Sequence, residues 1–244
     1  MQDARCKMQD IIESGKIKEH LSTEFIGSDI FLFDRVESTN DIAKEIAVSG
    51  CKEGAVVIAD SQSKGKGRLG RRWESPSGVG IYLSIILKPK KVVSQLTLVA
   101  GVAVAEAIVK IADSLNPKSE ILNPKLPCVS LKWPNDININ GKKAGGILTE
   151  VISKGKAVIV GIGINVNTPP SSPPFQGGEQ KGGFPDELKD KATSIMIETG
   201  KRVDRNLLIA ELLNSFECWH EKFIEEGETV MKKWKELSDT VGRR

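Results

Sequence analysis

The segment Ser63–Gly78, SKGKGRLGRRWESPSG, carries five cationic side chains within nine positions: Lys64, Lys66, Arg68, Arg71 and Arg72. Gly65, Gly67 and Gly70 are interleaved with them. Like charges on flexible backbone repel one another, so something anionic should complete the segment. Glycines let backbone N–H groups approach a phosphate without a Cβ in the way, and arginine forks hydrogen-bond two oxygens at once. Phosphate or phosphoanhydride binding suits this pattern; the bland alternatives are a solvated loop or a nonspecific nucleic-acid contact. The segment is neither a P-loop, since no G-x-x-x-x-G-K-[ST] occurs, nor a dinucleotide fingerprint, since no helix is expected to begin there.

Three further stretches could carry chemistry. In KWPNDININGKKAGG, Lys132, Asn135 and Asp136 stand at the mouth of a hairpin turned at Asn140-Gly141, with Lys142 and Lys143 on the return strand. An acid between lysines suits a metal–nucleotide complex, the carboxylate holding Mg²⁺ while the lysines meet phosphate or a carboxylate. Ordinary turn chemistry would produce Pro-Asn-Asp equally well. GIGINVN, Gly161–Asn167, puts glycines on a strand, which implies a close neighbour, either a ligand or another backbone. Ser38-Thr39-Asn40 is a polar triplet at an expected helix start, where hydroxyls and N–H groups could bind a small polar head group or simply cap the helix.

The elements that must position these residues follow from periodicity. Ile30–Val36, Ala55–Ala59 and Ile81–Leu87 read as strands, the last two bracketing the basic loop. Ile42, Ala43 and Ile46 give the helix after Ser38 an apolar stripe, and Gln95–Asp113 reads as a deeply packed helix. VSLKWPNDINI, KKAGGILTEVI and AVIVGIGINV form an antiparallel meander, with a second turn expected at Lys154-Gly155. Helices are expected near Ala192–Glu198, closed by Gly200, and from about Asp204 to Glu226, closed by Gly227. Two segments, 115–127 with its repeated LNPK and 168–185, rich in Pro, Gly and Ser, read as loop insertions.

Composition narrows the classes. The net charge is +3 over 244 residues, so the basicity is local and a general nucleic-acid binder is not indicated. Cys6, Cys51, Cys128 and Cys218 lack any C-x-x-C spacing, which argues for a reducing compartment and against a disulfide framework or zinc site. His20 and His220 lie far apart, making a histidine-based metal or triad mechanism unexpected. The N-terminus lacks an apolar signal core, and the apolar run LTLVAGVAVAEAIV is too short for a bilayer. A cytoplasmic protein with no membrane or nucleic-acid partner is expected.

Taken together, the motifs resemble one family, the biotin–protein ligases. They are ESTN, then Q-x-x-G-[KR]-G-R-x-G-R-x-W-x-S-P-x-G as Gln62–Gly78, then KWPND, KKAGGIL and GIGIN, in the family's order over roughly Phe25–Trp234. The resemblance implies an α+β fold: a catalytic domain like that of class II aminoacyl-tRNA synthetases, with a mainly antiparallel mixed sheet flanked by helices. It implies biotin as substrate, with ATP and Mg²⁺. Biotin's carboxylate attacks the α-phosphate to give biotinyl-5′-AMP, and a lysine of a biotin carboxyl carrier protein, a carboxylase subunit, then attacks that mixed anhydride.

By motif position the resemblance implies a biotin site of Ser38, Thr39, Asn40, Gln62, Gly65, Lys66, Arg68, Tyr82, Ser84, Lys143, Gly146, Gly161 and Gly163. Gly67, Gly70, Arg71, Trp73, Lys132, Asn135, Asp136 and Asn165 would serve ATP, with Asp136 toward the metal. Lys143, Arg68 and Lys66 would be catalytic, opposing the repulsion of two anions and the charge growing on phosphate oxygens. Folded over the adenylate, the basic loop would exclude water. A homodimer is the expected assembly. A lipoate–protein ligase would share fold and adenylation chemistry, and a biotin-binding protein without full transferase activity is the alternative from another class.

The match has departures. About twenty residues precede LSTEFIG, too few for the helix-turn-helix of the operon-repressing members, so residues 1–24 read as an extension before a catalytic domain at 25–237. Residues 238–244 read as the start of a C-terminal segment that the family continues into an SH3-like barrel. Lys66 stands where some members have arginine, keeping the charge without the bidentate fork.

Overall fold

The computed structural model describes residues 11–89, 95–115, 128–152, 157–170 and 183–240. The LNPK repeat, the Lys154-Gly155 turn, most of the Pro/Gly-rich stretch and residues 241–244 lie outside them. The fold is α+β. Its sheet joins seven strands among the described residues: β1 (Ile30–Val36), β2 (Val56–Gln62), β3 (Gly80–Leu87), β4 (Val129–Lys132), β5 (Asp136–Ile139), β6 (Lys142–Ile152) and β7 (Ala157–Asn165). Their order is β1-β2-β3-β7-β6-β5-β4, and β1–β2 is parallel while every other pairing is antiparallel.

Helices cover both faces: α1 (Ser14–Glu19), α2 (Thr39–Ser49), α3 (Leu96–Leu115), α4 (Ile195–Thr199), α5 (Arg205–Glu225) and α6 (Gly227–Leu237). The two-residue period of the strands decides which side chains meet which helices. Ile81, Leu83, Ile85 and Leu87 of β3, with Val158, Val160, Ile162 and Ile164 of β7, enter the main core beneath α3 and α5. The alternate residues turn to α2, where Val57, Ile86 and Ile159 form a smaller cluster around Ala43. On that face β3 presents Tyr82 and Ser84, and β7 presents Gly161 and Gly163. The apolar period thus leaves one polar, hollow patch beside α2.

Two sequence expectations change, and the described part of the N-terminal stretch has a place in the fold. VSLKWPNDINI is two strands, β4 and β5, paired Val129 to Ile139 and turning at Trp133–Asn135, because Pro134 has no N–H for a ladder. Gly227 does not close α5; it opens α6, and Glu226 is the residue between the two helices. Residues 11–24, set apart in sequence as an extension, pack onto α5: Ile17 is fully buried, and Asn206 bonds the backbone at both Ile11 and Glu13. At the other end Asp239 accepts from Ser130 Oγ and Asn138 Nδ2, so 238–240 lies along β4.

Candidate active site

The hollow patch is a cleft of about 280 Å³ between α2, the sheet and the basic loop. Its floor begins where β1 ends and α2 starts. Ser38 is the N-cap but its side chain bonds no helix N–H, so its hydroxyl stays free of capping duty. Thr39 N–H donates to Gln62 Oε1 at 2.8 Å, and Gln62 Nε2 donates to Ser75 Oγ at 2.8 Å. Ser84 Oγ lies 2.7 Å from Asn40 Oδ1 and 2.9 Å from Thr39 Oγ1. Gly161 is the residue that makes room: a Cβ there would overlap Asn40 Oδ1.

The basic segment folds into a tight excursion from the end of β2. Trp73 N–H donates to Gly65 O at 2.9 Å and Gly67 N–H to Arg71 O at 2.7 Å, and a turn at Arg68–Gly70 puts Leu69 at the tip with φ 57°. Its charge is met partly by the protein itself. Lys64 pairs with Glu37 at 2.7 Å, Lys66 with Asp41 at 2.6 Å and Arg72 with Glu74 at 3.1 Å. Arg68 instead donates to the neutral Asn135 Oδ1 at 3.3 Å, and Arg71 has no carboxylate partner among the described residues. Both guanidinium groups line the cleft with charge to spare.

Opposite the loop, the β5–β6 hairpin delivers Lys143. A register shift between Ile137 and Asn138 lets it reach past its neighbour, and Lys143 Nζ lies 2.6 Å from Asp136 Oδ1. The same ammonium stands 5.6 Å from the centroid of the Trp73 ring. Trp73 leans on β7 so closely that a Cβ at Gly163 would come within 2.6 Å of its Nε1. That Nε1 is buried and has no hydrogen-bond partner among the described residues.

Beyond Trp73 lies a second, more apolar cavity of about 190 Å³, walled by Phe184, Pro185 and Leu188 and shared with Lys143 and Asn165. Trp73 and Lys143 therefore belong to both spaces. Fifteen of the sequence-selected residues line the cleft, from Ser38 to Gly163. Gly65 and Gly70 do not line the cleft: Gly65 is buried against Trp73 O and Ser75 at the base of the loop, Gly70 is exposed near its tip, and Asn165, whose Nδ2 donates to Thr193 O at 3.1 Å, faces the second cavity. Tyr82 and Ser84 lie beneath the cleft: the Tyr82 hydroxyl donates to Pro76 O, and burial pushes its pKa well above the ordinary value, keeping it neutral. Lys132 is exposed at the end of β4 and lines neither space.

Sequence reasoning did not single out the supporting charges. Glu150 accepts from Asn40 Nδ2 at 2.7 Å and from Lys44 Nζ at 2.7 Å. Burial works to lower the Lys44 pKa, but the bond and charge of Glu150, with Asp41, outweigh it and raise it. Arg205, almost wholly buried, pairs with Asp60 at 2.7 Å, and Asp60 also takes the Gly78 N–H at 3.1 Å, tying down the loop's exit. The two-residue period from Gly146 through Leu148 to Glu150 was the one signal that pointed at Glu150.

The fold is similar to that of a solved structure described as biotin protein ligase from Aquifex aeolicus in complex with biotin and ATP. The TM-score is 0.70 at 35% identity, covering 88% of this chain and 81% of that one. The biotin/lipoate A/B protein ligase family model matches residues 32–167. The chain belongs to that family. The biotin–[acetyl-CoA-carboxylase] ligase of Paracoccus denitrificans is 32% identical over 191 residues, covering 76% of this chain and 70% of the relative. The bifunctional ligase/repressor BirA of Bacillus subtilis is 37% identical over 238 residues, 95% of this chain, and the chain spans 66% of that relative's length.

Proposed function

We propose that this chain activates biotin with ATP and transfers the biotinyl group to a lysine of a biotin carboxyl carrier protein. The observation that carries the reading is the position of Lys143, whose ammonium belongs both to the polar-floored cleft and to the apolar cavity beyond Trp73. The cleft suits a fused-ring urea with an acid tail: hydroxyls and amides at the floor for the head, Lys143 and the loop cations for the carboxylate. The second cavity, with a flat ring at its entrance and apolar walls, suits an adenine base. The two reacting groups, carboxylate and α-phosphate, then meet at Lys143.

In the first step a carboxylate oxygen bonds to the α-phosphorus and the bond to the pyrophosphate leaving group breaks. Lys143, Arg68 and Lys66 offset the negative charge on both anions and on the oxygens of the transition state. In the second step the carrier's neutral lysine amine attacks the acyl carbon, the C–O bond to AMP breaks, and one amine proton passes to solvent as the amide forms. Asp136 is the acidic side chain among the residues lining the cleft, and no cluster of three acid, His or Cys ligands occurs among the described residues. Asp136 would be the residue to hold a Mg²⁺ arriving on ATP, and the ion would supply charge neutralisation when bound.

No helix among the described residues is long and apolar enough to cross a membrane, and the reading places the reaction in the cytoplasm beside its carboxylase subunit. The test is incorporation of labelled biotin into a carrier-domain peptide with ATP and Mg²⁺, run beside labelled lipoate. Labelling by biotin and not lipoate, abolished by Lys143→Ala, supports the reading. Labelling by lipoate alone, or by neither, overturns it.

A further inference from the structure

Each polar atom of the cleft floor can be followed to its partner, and the chain of bonds ends outside the cleft. Asn40 is buried, and its Nδ2 donates to the Leu148 carbonyl at 3.3 Å and to Glu150 Oε2 at 2.7 Å. Its Oδ1 faces Ser84 Oγ at 2.7 Å. The opposite setting of the amide would put Oδ1 against a carboxylate and a carbonyl, three acceptors with no proton among them. Glu150 therefore dictates that Asn40 offers an acceptor to Ser84, and Ser84 must spend its one proton there.

The consequence reaches the ligand-facing group. Asn40 lines the cleft, and its Oδ1, the atom a Cβ at Gly161 would strike, keeps a second lone pair beside the one Ser84 uses. The Thr39 hydroxyl donates inward to Gln62 Oε1 at 3.1 Å, so its oxygen too keeps a lone pair. The floor is then left with oxygen lone pairs, and the one that depends on Glu150 is at Asn40 Oδ1, a site that takes an N–H. We propose that Glu150, which does not itself line the cleft, is a positioning residue that sets this donor–acceptor polarity and so selects a ring head with N–H donors, such as a cyclic urea. The inference rests on the biotin reading above and adds the residue that makes the floor accept.

Lys44 gives the proposal its control. Glu150 has one oxygen for Asn40 and one for Lys44. Gln at this position has a single oxygen, which the Lys44 ammonium takes, so its amide N–H₂ faces Asn40 and the floor reverses. Removing the ammonium as well releases that oxygen for Asn40 and restores the original direction.

The experiment measures d-biotin and ATP affinities by calorimetry, with melting midpoints, for the unmodified chain, Glu150→Gln, Lys44→Met and the double variant. Biotin binding at least tenfold weaker in Glu150→Gln, with ATP affinity within threefold and recovery to within threefold of Lys44→Met in the double variant, is the expected result. Glu150→Gln binding biotin as well as the unmodified chain, or a double variant no better than Glu150→Gln, overturns the inference alone. Parallel loss of ATP binding and melting midpoint in Glu150→Gln also overturns it, as a merely structural role. An unmodified chain that binds no biotin overturns the functional reading and this inference with it.

Discussion

Lys143 Nζ lies 2.6 Å from Asp136 Oδ1 across the mouth of the β5–β6 hairpin, and the same ammonium faces both cavities. The pairing holds the cation ready without burying it, since both side chains remain about one-third exposed, at 38% and 28%. An incoming carboxylate or phosphate can therefore compete for the ammonium. Lys143→Ala should lower adenylate formation by a factor of about 100–1,000, equivalent to about 3–4 kcal/mol of transition-state stabilisation. Rates of biotinyl-5′-AMP production in single turnover check this, and a loss under tenfold would contradict it.

Gly161 sits under Asn40 with no room for a methyl group. Gly161→Ala must push the Asn40 amide off its partners Ser84 and Glu150. The expected outcome is a biotin dissociation constant raised at least tenfold with a smaller effect on ATP. Titration of each ligand separately measures it, and equal loss of both would point to global damage instead.

Asp41 bears on the basic loop through Lys66. Its partial burial tends to raise the Asp41 pKa, but the hydrogen bond and charge of Lys66, then of Lys44, outweigh burial and hold it below the ordinary carboxylate value. A depressed carboxylate contributes stability above the unfolded-state value of about 3.9 and loses it as pH falls through the lower folded value. Asp41→Asn should therefore be less stable than the unmodified chain near pH 6, with the gap closing as pH falls below about 4. Urea unfolding at a series of pH values tests this; a gap unchanged at pH 3 would contradict the assignment. The same variant should release more adenylate to free lysine, since Lys66 loses its tether.

His220 predicts a second pH dependence with a separate origin. Its ring stacks with Phe216 and tilts against Phe25, and its buried Nδ1 has no partner among the described residues. Burial lowers its pKa despite the opposing charges of Glu53 and Glu217. The unfolded chain then binds the proton first, so stability falls as pH drops below the unfolded value of about 6.5. His220→Phe should lose less stability between pH 7 and pH 5 than the unmodified chain, measured by thermal midpoints. Identical slopes would refute the role.

How much was legible in the sequence differs by kind of signal. The strands, the α2 start and the meander follow from periods of two and of three to four residues, which backbone geometry imposes directly. The cleft residues were legible because glycines, cations and the Ser-Thr-Asn triplet are unusual in combination. The parallel β1–β2 pairing was not, because nothing local distinguishes a parallel neighbour from an antiparallel one. Nor were Asp60 and Arg205, which are 145 positions apart and ordinary as residue types, yet meet at 2.7 Å. Gly227 misled because a glycine after a helical run marks a stop, whereas here a second helix restarts at once with Val230 and Trp234 buried. Contacts set by tertiary packing leave no mark on the residues' own neighbours.

The central claim is that this cleft joins biotin's carboxylate to the α-phosphate of ATP. The most direct test is biotin-dependent exchange of labelled pyrophosphate into ATP by this chain, which reads the first step without any carrier protein. The account predicts exchange that requires biotin and Mg²⁺ and falls to background in Lys143→Ala. Exchange independent of biotin, or none while biotin and ATP both bind, would contradict it.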